Sequence, residues 1–208
     1  EMGGDYFDYF QTGDDRLVVM AGDVAGHGVG ASLIMAMAKA GVLRCADCLD
    51  NPATVLARLH QIIFASRSKT QRKVMTFQYL YYSPVDGAGV YANAGACSPL
   101  LVDSAKGTTH EITLQAPVLG GFKKSSFASL NLQLQPGQAV VFYTDGMVET
   151  MNPAGKELGY EGLKQILLDA YDTDARHYYD NIYQKYREWL AGGQPQDDLT
   201  LIILLRRH

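Results

Sequence analysis

Leu17-Val18-Val19-Met20-Ala21-Gly22-Asp23-Val24-Ala25-Gly26-His27-Gly28 joins an apolar run of strand length to an acidic, glycine-rich end. The run from Leu17 to Ala21 suits a strand, and Gly22-Asp23 ends it. The turn Gly26-His27-Gly28 then leads into a segment from Ala31 to about Cys48, rich in Ala, Met and Leu, which predicts a buried helix. Strand, acidic turn and helix in that order put a carboxylate where a sheet ends. The arrangement returns at Val140-Val141-Phe142-Tyr143-Thr144-Asp145-Gly146, where Asp145 ends a second apolar strand. It appears in reverse at Gln196-Asp197-Asp198, immediately before the apolar run Leu199 to Leu205.

Working outward, Asn51-Pro52 opens a second helix with proline at the tolerated first turn. That helix runs to about Ser66 and gathers Val55, Leu56, Leu59, Ile62 and Ile63 on one face. The middle of the chain turns to aromatic and β-favouring residues. Strands are predicted over Val74 to Ser83, Gly89 to Asn93, Leu100 to Asp103, Thr109 to Leu114, Phe127 to Leu134 and Ala139 to Thr144. Turn signals such as Pro84-Val85-Asp86-Gly87, Lys106-Gly107 and Pro136-Gly137 separate them. Helices return over Tyr160 to Ala170 and Asp174 to Leu190. Short strand spacing and paired helices indicate an α+β fold: two antiparallel sheets packed face to face, with helices outside.

A chain of 208 residues with a hydrophobic content of 47% is long enough for one domain with a substantial core. The net charge of −4 comes without any block of Lys and Arg, which argues against nucleic acid as a partner. Cys45 and Cys48 have C-x-x-C spacing, but no second ligand pair accompanies them as a zinc site requires. With Cys97 the count is odd, so all three read as reduced thiols rather than a disulfide framework.

Asp5, in Gly3-Gly4-Asp5-Tyr6-Phe7-Asp8, joins Asp23, Asp145 and Asp197 as the acids hardest to dismiss as surface. Carboxylates gathered at strand ends repel one another, and burial raises that cost. A divalent cation removes it, and an all-oxygen donor set favours a hard ion such as Mg²⁺ or Mn²⁺. On spacing alone, the alternative of Asp residues that cap turns stays open.

The ordered motifs settle on a resemblance. Glu1-Met2-Gly3-Gly4-Asp5-Tyr6-Phe7-Asp8, Gly22-Asp23-Val24-Ala25-Gly26-His27-Gly28-Val29-Gly30-Ala31, Met75-Thr76-Phe77 and Tyr91-Ala92-Asn93-Ala94-Gly95 come first. Leu134-Gln135-Pro136-Gly137, Tyr143-Thr144-Asp145-Gly146 with Glu149, Asn152-Pro153-Ala154-Gly155 and Gln196-Asp197-Asp198-Leu199-Thr200-Leu201 complete the series. Together they resemble the bacterial SpoIIE-type branch of the metal-dependent type 2C protein serine/threonine phosphatases, along nearly the whole chain. The resemblance implies a β-sandwich of two antiparallel sheets flanked by helices, in α-β-β-α layers. It also implies two divalent cations, Mn²⁺ or Mg²⁺, at one end. Asp23 would bridge them, the Val24 carbonyl would hold one, Asp145 and Asp197 would be further ligands, and Asp5 would sit beside the second. Asp8 and Asp198 have weaker claims, Asp198 as a helper or strand-start residue. The implied chemistry is in-line attack of an activated water on phosphorus, without a covalent phospho-enzyme. His27 reads as a structural residue of its turn, with a proton-donor role as the competing reading.

The sequence departs from the family twice. The run Gly95-Ala96-Cys97-Ser98-Pro99 lacks the histidine often found after Asn-Ala-Gly, and the strand that usually precedes the first motif is expected upstream of residue 1. Residues 1–208 are therefore expected to be a single phosphatase domain, the C-terminal effector of a longer protein with an upstream sensor or regulatory domain. The expected substrate is a phosphorylated anti-sigma-factor antagonist in a bacterial partner-switching pathway. The expected location is the cytoplasm, with any membrane anchor lying upstream, and a homodimer is compatible with the sequence. The segment from about Leu43 to Lys73 reads either as a regulatory helix pair or, more cheaply, as helices packed on the sheet. Two other functions compete: a non-catalytic phosphoprotein-binding module of the same fold, and a metal-dependent phosphoesterase acting on small molecules or nucleotides.

Overall fold

The computed structural model describes residues 3–67 and 72–207. The Glu1-Met2 start of the first motif, and residues 68–71 of the segment weighed as regulatory, lie outside them. By its internal contacts the chain divides into two compact units, one of residues 1–96 and 114–133, the other of residues 97–113 and 134–208.

The first unit is built on a five-stranded antiparallel sheet in the order β1-β2-β3-β4-β7. Its strands are β1 (Asp5–Gln11), β2 (Leu17–Val24), β3 (Met75–Tyr82), β4 (Ala88–Ala94) and β7 (Leu130–Gln133). Two helices pack on it, α1 (Val29–Leu43) and α2 (Pro52–Ala65). Asn51 caps α2 by accepting the Thr54 N–H at 3.1 Å, and Pro52 fills the first turn as expected. Val55, Leu56, Leu59 and Ile63 on α2 and Ala31, Ile34, Ala38 and Val42 on α1 share one core with Val18, Met20, Phe77 and Tyr79 of the sheet. Each fully buried Leu, Ile or Phe there contributes roughly 1.5–3 kcal/mol. Gly41 lets the helices approach closely, since a Cβ there would fall 2.5 Å from Leu59 Cδ2. α2 packs on β3 and β4.

The second unit holds a four-stranded antiparallel sheet in the order β6-β5-β8-β9. Its strands are β5 (Leu100–Asp103), β6 (Thr108–Glu111), β8 (Gln138–Tyr143) and β9 (Leu201–Leu205). The helices are α3 (Asp145–Glu149), α4 (Gly159–Asp169) and α5 (Ala175–Leu190), with α4 and α5 packed on the strands. Asp174 caps α5 by accepting from Arg176 N (2.9 Å) and His177 N (3.1 Å). Leu163, Leu167, Tyr178, Ile182 and Tyr186 bury against Leu100, Val102, Val141 and Tyr143. The fold class is the expected one, α+β with two antiparallel sheets flanked by helices.

Three expectations change in detail. The first helix ends at Leu43, so Cys45 and Cys48 lie in turns after it rather than inside it; both are buried free thiols. That helix is also not buried all round, because Val29 and Leu33 are exposed. The strands expected over Thr109 to Leu114 and Phe127 to Leu134 shorten to β6 and β7.

Candidate metal centre

In the first unit, Asp23 sits inside a ladder rather than on a loop. Asp5 of β1 is its register partner on one side, and Thr76 of β3 on the other. The Asp23 N–H donates to Thr76 Oγ1 at 3.0 Å, and the Val24 N–H donates to the Gly4 carbonyl at 3.0 Å. Residues directly opposite on antiparallel strands point to the same face, so the Asp5 and Asp23 side chains share a side. Gly4 lies against both donor groups. A Cβ at Gly4 would fall 2.6 Å from Asp23 Oδ1 and 2.6 Å from the Val24 carbonyl oxygen, and only glycine leaves that space open. Gly22 is equally confined, its Cβ position lying 2.3 Å from the Thr76 carbonyl oxygen. A carboxylate, a second carboxylate opposite it and a backbone carbonyl beside it form an all-oxygen set that suits Mg²⁺ or Mn²⁺.

Beyond Val24 the chain turns through Ala25, Gly26, His27 and Gly28 into α1. Gly26 and Gly28 both take φ +81°, the left-handed conformation that glycine adopts freely. His27 is exposed at the tip of this turn. Asp8 is engaged elsewhere: its carboxylate receives the Lys39 ammonium from α1 and the Tyr6 hydroxyl at 3.1 Å.

In the second unit, Asp145 opens the short helix α3 directly after β8. It is exposed, and its Oδ1 accepts the Gly146 N–H at 3.0 Å. Thr144 and Thr200 fix the strand ends on either side, by Thr144 N to Thr200 O at 3.2 Å and Thr200 N to Thr144 Oγ1 at 3.0 Å. The Asp197-Asp198 segment presses on Gly146, where a Cβ would fall 2.3 Å from the Asp198 carbonyl oxygen and 3.3 Å from Asp197 Cβ. Asp145 and Asp197 are thus brought close within this unit. Asp197 Oδ1 accepts the Asp198 N–H at 2.8 Å, a local turn contact. Gln196 ties the segment down, accepting from Met151 N at 2.9 Å. A buried pair supports α3 from below: Thr150 donates to the Gly146 carbonyl at 2.5 Å, and the Tyr186 hydroxyl of α5 donates to Thr150 at 3.0 Å. Burial raises the Cys97 thiol to about 11, and the negative charge of Asp145 adds to the effect, so Cys97 stays a neutral thiol.

Among the described residues, no group of three or more His, Cys, Asp or Glu side chains is drawn together as a metal-holding cluster. The structure brings together Asp5, Asp23 and Val24 in one unit, and Asp145 and Asp197 in the other. In the run after Asn93-Ala94-Gly95, the Asn93 side chain closes the turn on the backbone, accepting from Ala96 N (2.9 Å) and donating to Ala96 O (3.0 Å).

Comparison with known proteins gives the same direction. The family model for stage II sporulation protein E (SpoIIE) matches residues 13–207. The chain is 25% identical over 231 residues to protein IcfG of Synechocystis sp., covering 99% of this chain and 36% of that protein. It is 25% identical over 207 residues to the phosphoserine phosphatase RsbU of Bacillus subtilis, covering 100% of this chain and 60% of that protein. The chain therefore spans about a third to three fifths of the length of these relatives. Among solved structures it resembles the SiaA-PP2C domain of Pseudomonas aeruginosa, with TM-score 0.84 and 19% identity over 98% of this chain and 81% of that one. It also resembles a structure of RsbU and RsbW domains from Mycobacterium tuberculosis, with TM-score 0.78 and 25% identity over 99% of this chain and 57% of that one. A third likeness is to RsbX in complex with magnesium, with TM-score 0.70 and 18% identity over 98% of this chain and 87% of that one.

Proposed function

Since the chain belongs to the SpoIIE family, we propose that it is a metal-dependent phosphatase that removes phosphate from serine or threonine of a protein substrate. The observation that carries the reading is the pairing of Asp5 with Asp23 across β1 and β2, with the Val24 carbonyl beside them in space that Gly4 leaves open. Repulsion between two carboxylates held on one side of a ladder is costly unless a cation joins them. RsbU is named a phosphoserine phosphatase, and RsbX carries magnesium in its structure, which supports both halves of the reading.

In this account Asp5, Asp23, the Val24 carbonyl, Asp145 and Asp197 hold two divalent cations, Mn²⁺ or Mg²⁺. When bound, such ions supply the charge that activates a water and neutralises the phosphoryl oxygens. The ladder fixes Asp23 and Val24 before substrate arrives, so little reorganisation is needed during the reaction. The thiols take no part: Cys45 and Cys48 are buried and Cys97 is held neutral. The substrate we propose is a phosphorylated anti-sigma-factor antagonist in a partner-switching pathway. Residues 1–208 would act in the cytoplasm as a single phosphatase domain under an upstream sensor, with homodimers as one mode of assembly. Nucleic acid has no place in this account. No helix among the described residues is long and apolar enough to cross a membrane.

The test compares substrates and metals. The chain should hydrolyse a phosphoserine peptide, lose that activity in EDTA and regain it with Mn²⁺, and leave nucleotides untouched. Preference for nucleotides would replace the reading with a small-molecule phosphoesterase. Metal binding without turnover of any phosphopeptide would replace it with a binding module.

A further inference from the structure

The turn that follows Asp23 is held from outside by a residue with no place in the motifs. The Ala25 N–H donates to the Val74 carbonyl at 3.0 Å, and the Lys73 ammonium donates to the Ala25 carbonyl at 2.6 Å. Both backbone groups of Ala25 are therefore taken by two consecutive residues at the entry to β3. The trans peptide makes this consequential, because the C=O and N–H of one peptide unit point in opposite directions. With the Ala25 N–H directed at Val74, the Val24 carbonyl of the same unit faces away from it. It points to the side where Gly4 leaves room and Asp23 Oδ1 stands. The Lys73 contact fixes the next peptide unit in the same way. Its side chain lies along the turn, with Nζ 2.8 Å from the Cβ position of Gly26 and Cε 3.6 Å from that of Gly30. Gly26 has wide conformational freedom at φ, so without an outside tether the 25–26 peptide has several ways to rotate.

We infer that Lys73 is a positioning residue: its ammonium clamps the Ala25 carbonyl, keeps the 25–26 peptide from turning, and so preserves the Ala25 N–H bond to Val74 that leaves the Val24 carbonyl on the side of Asp23 Oδ1, where a divalent cation would bind. The inference rests on the metal-dependent reading above and adds to it a residue outside the acidic set. Electrostatics alone predicts the opposite sign, because a lysine charge near a cation site repels the cation. The two effects can therefore be separated by experiment.

The measurement is Mn²⁺ affinity, followed by electron paramagnetic resonance of free Mn²⁺, for wild type, Lys73→Met and Lys73→Arg. Metal-free thermal unfolding is recorded alongside. Lys73→Met keeps the aliphatic stem and removes the donor. It is expected to weaken Mn²⁺ binding by about tenfold, the lower end of the loss for an outer partner of a metal ligand. Its metal-free unfolding temperature should stay at the wild-type value, and Lys73→Arg should recover most of the affinity. Equal or tighter Mn²⁺ binding by Lys73→Met, with wild type binding normally, would overturn the positioning role and leave the phosphatase reading standing. Weaker binding that merely tracks a lower metal-free unfolding temperature would also overturn it, as a folding effect. A wild-type chain that binds no Mn²⁺ would overturn the metal reading and this inference together.

Discussion

Asp23 and Asp145 both follow apolar strands, yet they are held by different means. Asp23 is a ladder residue, flanked by Asp5 and Thr76 and closed in by Gly4 and Gly22. Asp145 lies just past its strand, at the start of a five-residue helix and exposed. Its surroundings are fixed by the backbone bond from Thr144 N to Thr200 O and by side chains: Thr144 Oγ1 with Thr200, Thr150 with Tyr186, and Gln196 with Met151. Asp23 is itself paired on both sides by the sheet, whereas the contacts around Asp145 hold its neighbours rather than the residue itself. Asp23 should therefore be held rigidly in the first unit, and Asp145 should be more adjustable in the second.

The largest effect tests whether both acids matter. Asp23→Asn and Asp145→Asn should each lower phosphopeptide turnover by roughly a thousandfold or more, a loss of about 4 kcal/mol in transition-state stabilisation. Near-UV circular dichroism should show the fold retained. Near-normal turnover in either variant would break the assignment for that unit.

A matched pair of glycine substitutions tests the stiffness directly. A Cβ at either Gly22 or Gly146 would meet a backbone oxygen at 2.3 Å. Gly22→Ala pushes apart two central strands and should cost about 2–3 kcal/mol by denaturant unfolding, in the range of an overpacked core. Gly146→Ala pushes on the Asp197-Asp198 segment, which can shift. It should cost less than about 1 kcal/mol in stability, as a change absorbed near the surface, yet lower turnover clearly. Equal stability losses would erase the distinction.

Thr150→Val comes next. It leaves the Gly146 carbonyl and the buried Tyr186 hydroxyl without their shared partner, at a cost of about 1–3 kcal/mol. Gln196→Ala should matter least, since its bonds to Met151 are exposed. A stability change within about 0.5 kcal/mol is expected, measured by thermal unfolding.

Much of the fold is legible in the amino-acid sequence, and what is not has physical causes. Strands Leu17–Val24 and Gln138–Tyr143 are dense apolar runs with acids at their ends, and the Asn51-Pro52 helix start carries its own cap. By contrast, β1 reads Asp-Tyr-Phe-Asp-Tyr-Phe-Gln, which repeats every three residues and lacks the alternation of a half-buried strand. It becomes a strand because β2 offers a partner for its whole length. The pairing of Asp5 with Asp23 was equally hidden, since register depends on the hairpin between them. Lys73 gave no signal, because its partner is a backbone carbonyl 48 residues away, and backbone groups look alike in every sequence. The candidate acids could be named one by one, but their neighbours could not.

The most direct test of the central claim is phosphoserine-peptide turnover titrated with Mn²⁺ for wild type, Asp23→Asn and Asp145→Asn. The account predicts saturable, Mn²⁺-dependent turnover in wild type and its loss in both folded variants at every Mn²⁺ concentration. Metal-independent turnover, or a wild-type titration curve reproduced by either variant, would contradict it.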